Sequence, residues 1–266
     1  MSKQNALSGL FALFLVAGLA STAPGSSKDV VVQSVWAANP IAIDGLAGDW
    51  SGSPLAVNGA TKAEYAFRND ADHLYILLEL KDPLFLSTLE RSGVTIYWSA
   101  PGQTKKDNGL KFTRLVLTAN QLIARRTGHG RKLSDAEIAA IKAKPMHTLL
   151  IYDMINKKER AKMAAAKLTR YPDFNAVKEG KAWTYEFKIP LAKNEDQLFG
   201  LGVEPGGTVR IGIEWGGRME EQTQQADQLM RSMADEEKES PFQKEQVRRG
   251  EPKYTFWVDV ALAAKS

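Results

Sequence analysis

Trp183-Thr184-Tyr185-Glu186-Phe187-Lys188-Ile189 alternates large apolar residues with polar ones, and Pro190 ends the run. Successive side chains of a strand point to opposite faces, so this spacing puts Trp183, Tyr185, Phe187 and Ile189 on the buried face of a half-buried strand. Val209, Ile211, Ile213 and Trp215 repeat the pattern, with Arg210, Gly212 and Glu214 between them. So do Tyr254, Phe256, Val258, Val260 and Leu262, with Thr255, Trp257 and Asp259 on the opposite face. Earlier strands are expected over residues 63–68, 74–80, 94–98, 112–118 and 146–152, several of them separated by turn residues such as Asn69-Asp70-Ala71-Asp72 and Pro101-Gly102. Many short strands without regular alternation of strand and helix predict a mainly β fold: an antiparallel β-sandwich, jelly-roll-like, with helical insertions.

The insertions fall near residues 120–170 and 218–250. In the first, Ser134 and Glu137 form a capping box, Leu133 and Ile138 occupy the staple positions, and Pro145 stops the helix. A second helical stretch is expected over residues 156–168, rich in Ala, Lys, Glu and Met. In the other insertion, Met219, Ala226, Leu229, Met230 and Met233 make a stripe at helical spacing over residues 219–238. Such a stripe packs against its parent sheet or offers an adaptable contact surface to a partner.

Ahead of the sandwich, Lys3 precedes an uncharged apolar run centred on residues 10–20, followed by Ser21, Thr22 and Ala23. That layout predicts a secretory signal peptide over residues 1–20, cleaved after Ala20, and a secreted or periplasmic product. The run is shorter than the roughly 20 apolar residues of a spanning helix, so no membrane span is expected in the mature chain. Residues 21–35 read as a flexible lead-in and 36–264 as the sandwich. With no Cys in 266 residues, an exported chain must hold by its core alone. The formal net charge of +4 is too small to imply a nucleic-acid partner.

Asn39-Pro40-Ile41-Ala42-Ile43-Asp44-Gly45-Leu46-Ala47-Gly48-Asp49-Trp50 reads as a short strand, an Asp-Gly turn and a Trp that can plug one end of a sandwich. It resembles the opening of the family 9 carbohydrate-binding modules and their DOMON-like relatives. Three further segments follow in the order that family shows: Asn69-Asp70-Ala71-Asp72-His73-Leu74-Tyr75-Ile76, with Asp82 after it; the run from Trp183 to Pro190; and Gly207-Thr208-Val209-Arg210-Ile211-Gly212-Ile213. The resemblance implies a non-catalytic β-sandwich that clamps a saccharide between aromatic side chains and polar groups, with calcium commonly structural. Such a module can act beside a separate glycoside hydrolase.

Trp98, Trp183 and Trp215 are in phase with the apolar faces of their strands and read as core. Trp257, Tyr97 and Tyr75 are out of phase and are the candidates for a carbohydrate-stacking platform. Asp70 and Asp72, two apart in a turn, could offer oxygens to calcium, although turn formation alone accounts for them. The three His, at 73, 129 and 147, lack the spacing of a His-Glu-x-x-His zinc site. His73, His147 and Met146 are the side chains available to a b-type haem, the chemistry of a rival electron carrier. The leading expectation is the saccharide binder; its alternatives are a cell-envelope interaction protein using residues 219–238 and, behind that, the electron carrier. No nucleotide-binding glycine pattern and no Gly-x-Ser-x-Gly elbow occurs, so an enzyme is not expected.

Overall fold

The computed structural model of the chain describes residues 31–128, 130–163, 166–217 and 252–265. Their elements run β1 (Val31–Gln33), β2 (Val35–Trp36), β3 (Ala56–Val57), β4 (Glu64–Asn69), β5 (His73–Leu80), α1 (Pro83–Ser92), β6 (Val94–Ser99), β7 (Gly109–Thr118), α2 (Ala119–Gly128), α3 (Asp135–Lys142), β8 (Met146–Met154), α4 (Lys157–Lys162), β9 (Asp173–Glu179), β10 (Ala182–Pro190), β11 (Thr208–Gly216) and β12 (Lys253–Ala261). The strands form two sheets. The front sheet has the order β1-β12-β11-β6-β7-β8, and the back sheet β2-β4-β5-β10-β9 with β3 on β4. Among the described residues no helix is long and apolar enough to cross a membrane.

The period of two does what the sequence predicts on the inner faces. Ile96, Trp98, Ile211, Ile213 and Trp215 of the front sheet meet Ile76, Leu78, Tyr185, Phe187 and Ile189 of the back sheet in one buried cluster. Phe112 of the front sheet lies 4.9 Å from the Phe187 ring and 5.1 Å from the Phe174 ring of the back sheet, which locks the layers together.

Several expectations need correction. The sheets are mixed, because β1 pairs with β12 and β2 with β4 in parallel. The sandwich also begins before residue 36: β1 joins the front sheet, β2 the back sheet, and the chain crosses between them at buried Ser34. There Ser34 Oγ donates to Asn69 Oδ1 and accepts from the Ala263 amide at 2.8 Å, while Asn69 Nδ2 donates to the Ala263 carbonyl at 2.9 Å. Residues 34 and 263 are thereby both tied to Asn69, at the entrance to the β4–β5 turn. The helix expected over 156–168 is only α4, because Met163, Ala166 and Leu168 leave the helical path to pack against the core. Helix α1 and strand β9 were not anticipated, although Pro83 at a first helical position is a start signal. Residues 1–20 and 219–238 lie outside the described residues.

The back sheet is buried on both faces, contrary to the half-buried pattern of β10. Residues 37–50 cross its outer face, where Ala37, Ile41 and Trp50 pack on Ala66, Tyr75 and Leu77 as a second cluster. Glu186, which the alternation assigns to the solvent side, has 0% exposure there. Its carboxylate accepts from the Asp44 amide at 3.0 Å, the Gly45 amide at 2.6 Å and the Trp50 indole Nε1 at 2.6 Å. Burial, with Asp44 alongside, nonetheless pushes the Glu186 carboxyl above its usual range. Gly45 has φ +83°, and any Cβ there would come within 2.6 Å of the Val177 side chain, so the turn can approach the sheet only as glycine.

Replacing Glu186 by Ala strands two buried donors and the part-buried Asp44 amide, a buried donor costing about 1–3 kcal/mol when unsatisfied. Urea unfolding of Glu186→Ala should show a loss of about 3 kcal/mol or more; a loss within ~0.5 kcal/mol, the level of a neutral surface change, would remove Glu186 as the anchor of this face.

Candidate functional site

With the back sheet sealed, the polar phase of the front sheet is the surface left to carry a site. Its side chains fall in rows across the strands. Asp153, Lys111, Thr95, Glu214 and Thr255 stand side by side from β8 to β12. The adjoining row is Gly109, Tyr97, Gly212 and Trp257. A cavity of about 620 Å³ opens over the first row, with Thr95, Lys111, Thr113 and Asp153 as floor and Tyr97 and Glu214 at one side. That volume is within the range of small-ligand sites. Arg125 of α2 and Lys157 and Arg160 of α4 stand on its rim, and Gly217 and Lys253 close one end.

Local sequence explains why the rim is held where it is. Thr118 caps α2: its amide donates to Gln121 Oε1 at 2.8 Å and its hydroxyl accepts from the Gln121 amide at 3.3 Å. Leu122 is buried beneath that helix, so Arg125 is carried toward the cavity. Asn156 caps α4 by accepting from the Lys158 and Glu159 amides at 3.1 and 3.2 Å, and its Nδ2 donates to Asn108 Oδ1 at 3.1 Å just before β7. This fixes the start of the helix that bears Lys157 and Arg160.

Glu214 is the electrostatic hub at the cavity's side. Although 3% exposed, it accepts from Tyr97 Oη at 3.1 Å, Thr255 Oγ1 at 2.9 Å and Lys253 Nζ at 2.7 Å, and it pairs with Lys106. Burial pushes its carboxyl up, but the bonds from Lys106, Lys253 and Thr255 outweigh burial and hold it below the ordinary glutamate range. Burial and the same carboxylate push the Tyr97 hydroxyl up to about 12.

Of the three stacking candidates, Trp257 alone is half-buried; Tyr97 and Tyr75 are buried. Its six-membered ring lies face-on over Gly212: a Cβ at 212 would sit 2.8 Å from three alternate atoms of that ring. Tyr97 stacks beside it, centroids 6.1 Å apart at 25°, with its Cδ1–Cε1 edge near Gly109, where a Cβ would sit 2.8 and 3.3 Å from those atoms. Tyr97 itself is buried, with Lys106 Nζ 5.5 Å over its ring, so it buttresses Trp257 and bounds the cavity. Tyr75 is a correction: residues 37–50 cover it to 2% exposure, and its hydroxyl donates to Asp70 Oδ2 at 2.7 Å. Trp50, Trp98, Trp183 and Trp215 are buried as expected.

Asp70 and Asp72 meet only in the β4–β5 turn. Asp70 Oδ1 accepts from the Asp72 and His73 amides at 2.7 Å each and Oδ2 from Tyr75, while Asp72 pairs with Arg170 at 3.0 Å. Among the described residues no group of three or more His, Asp or Glu is placed to hold a metal. His73 starts β5 in the back sheet, whereas Met146 and His147 start β8 in the front sheet, where the His147 ring bonds the Ile141 carbonyl at 2.8 Å. His129 lies outside the described residues. Lys111, Asp153, Arg125, Lys157 and Arg160 were missed by sequence reading; the Thr118–Gln121 and Asn156 caps were the available signals for the two rim helices.

No protein-family model matches the chain, and no curated protein sequence does. Among solved structures it is similar to a carbohydrate-binding module of family 9 from Caldicellulosiruptor kristjanssonii in complex with glucose, at 11% identity and TM-score 0.42, over 89% of this chain and 97% of that one. It is likewise similar to a family 9 module from the same organism in complex with cellotriose, at 12% identity and TM-score 0.40, over 90% and 95% of the two chains.

The lowered carboxyl of Glu214 sets a pH dependence. A group held below its unfolded value contributes stability that is present above that value, 4.5, and is lost as pH falls through the folded one. Measured by chemical unfolding, the advantage of the wild type over Glu214→Gln should be full at pH 6 to 7 and shrink as pH falls below about 4.5. A difference that is constant across that window would mean that Lys106 and Lys253 do not hold the charge.

Proposed function

We propose that this chain is an exported, non-catalytic saccharide-binding β-sandwich whose site is the outer face of the front sheet. The observation that carries the reading is the cavity of about 620 Å³ bounded by Tyr97, with the Trp257 indole lying flat on the sheet beside it. The C–H face of a pyranose is apolar and stacks on an indole, while its hydroxyls need a dense set of donors and acceptors. Trp257 offers the first, and Thr95, Thr113, Asp153 and the rim cations offer the second. Residues 1–20 supply the export pattern.

Hydrolysis of a glycosidic bond needs a carboxylic acid kept protonated to serve the leaving group. Glu214 is held in the opposite state by its lysines. That supports binding without cleavage. The Asp70 carboxylate already accepts from Tyr75 and two turn amides and, among the described residues, no second carboxylate joins it, Asp72 pairing with Arg170, so a chelator should leave binding unchanged.

The test is a glycan array of neutral and acidic oligosaccharides, probed with the chain from residue 21 onward, with and without chelator. Trp257→Ala should weaken the best ligand at least about tenfold, the loss expected from removing ~1.4 kcal/mol of ring contact. Tyr171→Ala, an exposed aromatic that does not line the cavity, should bind as the wild type does. Thermal unfolding checks that both variants are folded. No saccharide bound by the folded wild type, or equal binding by folded Trp257→Ala, would overturn the proposal.

A further inference from the structure

We propose that the ligand of this cavity is an acidic saccharide, one carrying carboxylate or sulfate groups. The inference rests on the saccharide reading above and names the class of sugar. Five cations line the cavity, Lys111, Arg125, Lys157, Arg160 and Lys253, against two carboxylates, Asp153 and Glu214. Glu214 is already neutralised by Lys253 and by Lys106. Among the described residues, the side chains of Lys111, Arg125, Lys157 and Arg160 have no hydrogen-bond or ion-pair partner, which leaves a positive surplus facing one space. The whole chain carries a formal charge of only +4, so this is a local concentration.

Donor and acceptor chemistry points the same way. A neutral sugar presents hydroxyls that both donate and accept, and a site built for it balances the two. Lys and Arg have donors and no acceptor, whereas an ionised carboxylate or a sulfate accepts only. On the floor, Asp153 stands opposite Lys111 on the neighbouring strand and is the free acidic acceptor of the cavity, placed to take a sugar hydroxyl. The cations come from β7, α2 and α4, so they surround the space from separate elements and can meet charges on more than one residue of an oligosaccharide.

The probes are oligogalacturonate and a heparin oligosaccharide, each measured by titration calorimetry against the carboxyl-reduced or desulfated neutral counterpart, with inorganic polyphosphate as a sugar-free anion. At least one acidic probe should bind about tenfold or more tightly than its neutral counterpart and lose about tenfold between 50 and 500 mM NaCl, as screening predicts. The exposed double variant Arg125→Gln/Arg160→Gln should lose that preference while unfolding at the wild-type temperature. Neutral and acidic sugars bound equally, with Trp257→Ala still weakening both, would overturn the acidic class and leave the saccharide reading standing. An acidic preference unchanged in the double variant would overturn the placement of the charges in this cavity. Polyphosphate bound as tightly as the acidic sugar, with no effect of Trp257→Ala, would overturn both readings in favour of charge alone.

Discussion

A carboxylate without access to water, set in the middle of a sheet, is tolerated only where donors are fixed upon it. Glu186 has three such donors, and all of them belong to residues 44–50. The Asp44-Gly45 turn cannot lift from the back sheet without stranding that charge, and the Trp50 indole cannot leave without exposing Ala66, Tyr75 and Leu77. The segment and the carboxylate therefore hold each other in place. Residues 39–50 and 183–190, more than a hundred positions apart in the sequence, are thus joined in space by one side chain.

That closure makes the two faces of the sandwich unequal. The back sheet becomes an interior layer, while the front sheet keeps a polar outer face flanked by α2 and α4. The contrast is visible in two buried glutamates. Glu186 receives neutral donors, so burial prevails and its carboxyl is pushed up. Glu214 receives two ammonium groups, which outweigh burial and push its carboxyl down. The first is a structural anchor with backbone partners. The second draws Lys106 and Lys253, from either side of the sheet's centre, to the edge of a cavity.

Most of the fold is legible in the sequence because period two is a local signal: Trp183 to Ile189, Val209 to Trp215 and Tyr254 to Val260 each report which side faces the core. The signal does not say what covers the other side. Glu186 and Tyr75 were both read as outward, and both are outward of their sheet, yet a segment more than a hundred residues distant from Glu186 buries them. Parallel pairing of β1 and β2 was hidden for a related reason, since strands of two or three residues carry too little pattern to be seen. At the candidate site, Trp257 could be found from phase alone. Its neighbours could not, because Lys111 meets Thr95 and Asp153 only through the register of β6, β7 and β8.

Glycine explains how the front face holds a flat ring. A glycine inside a strand costs roughly 0.5–1 kcal/mol relative to alanine, and it leaves the pleat bare. Gly109 and Gly212 flank Tyr97 on the adjoining strands, and the bare backbone they leave is covered by the two rings. Ring contact offsets the cost of the glycines there, and it forces both aromatics to lie along the sheet instead of standing on it. Gly93 and Gly216 line the cavity, where backbone carbonyls of Phe112 and Pro252 would lie 2.2 Å from any Cβ. Both have positive φ, +69° and +87°, so glycine is what lets those strand ends approach neighbouring backbone so closely. The same residue type therefore beds the aromatic surface on one row and lets neighbouring backbone approach closely on another, and Tyr97 borders both parts of the face.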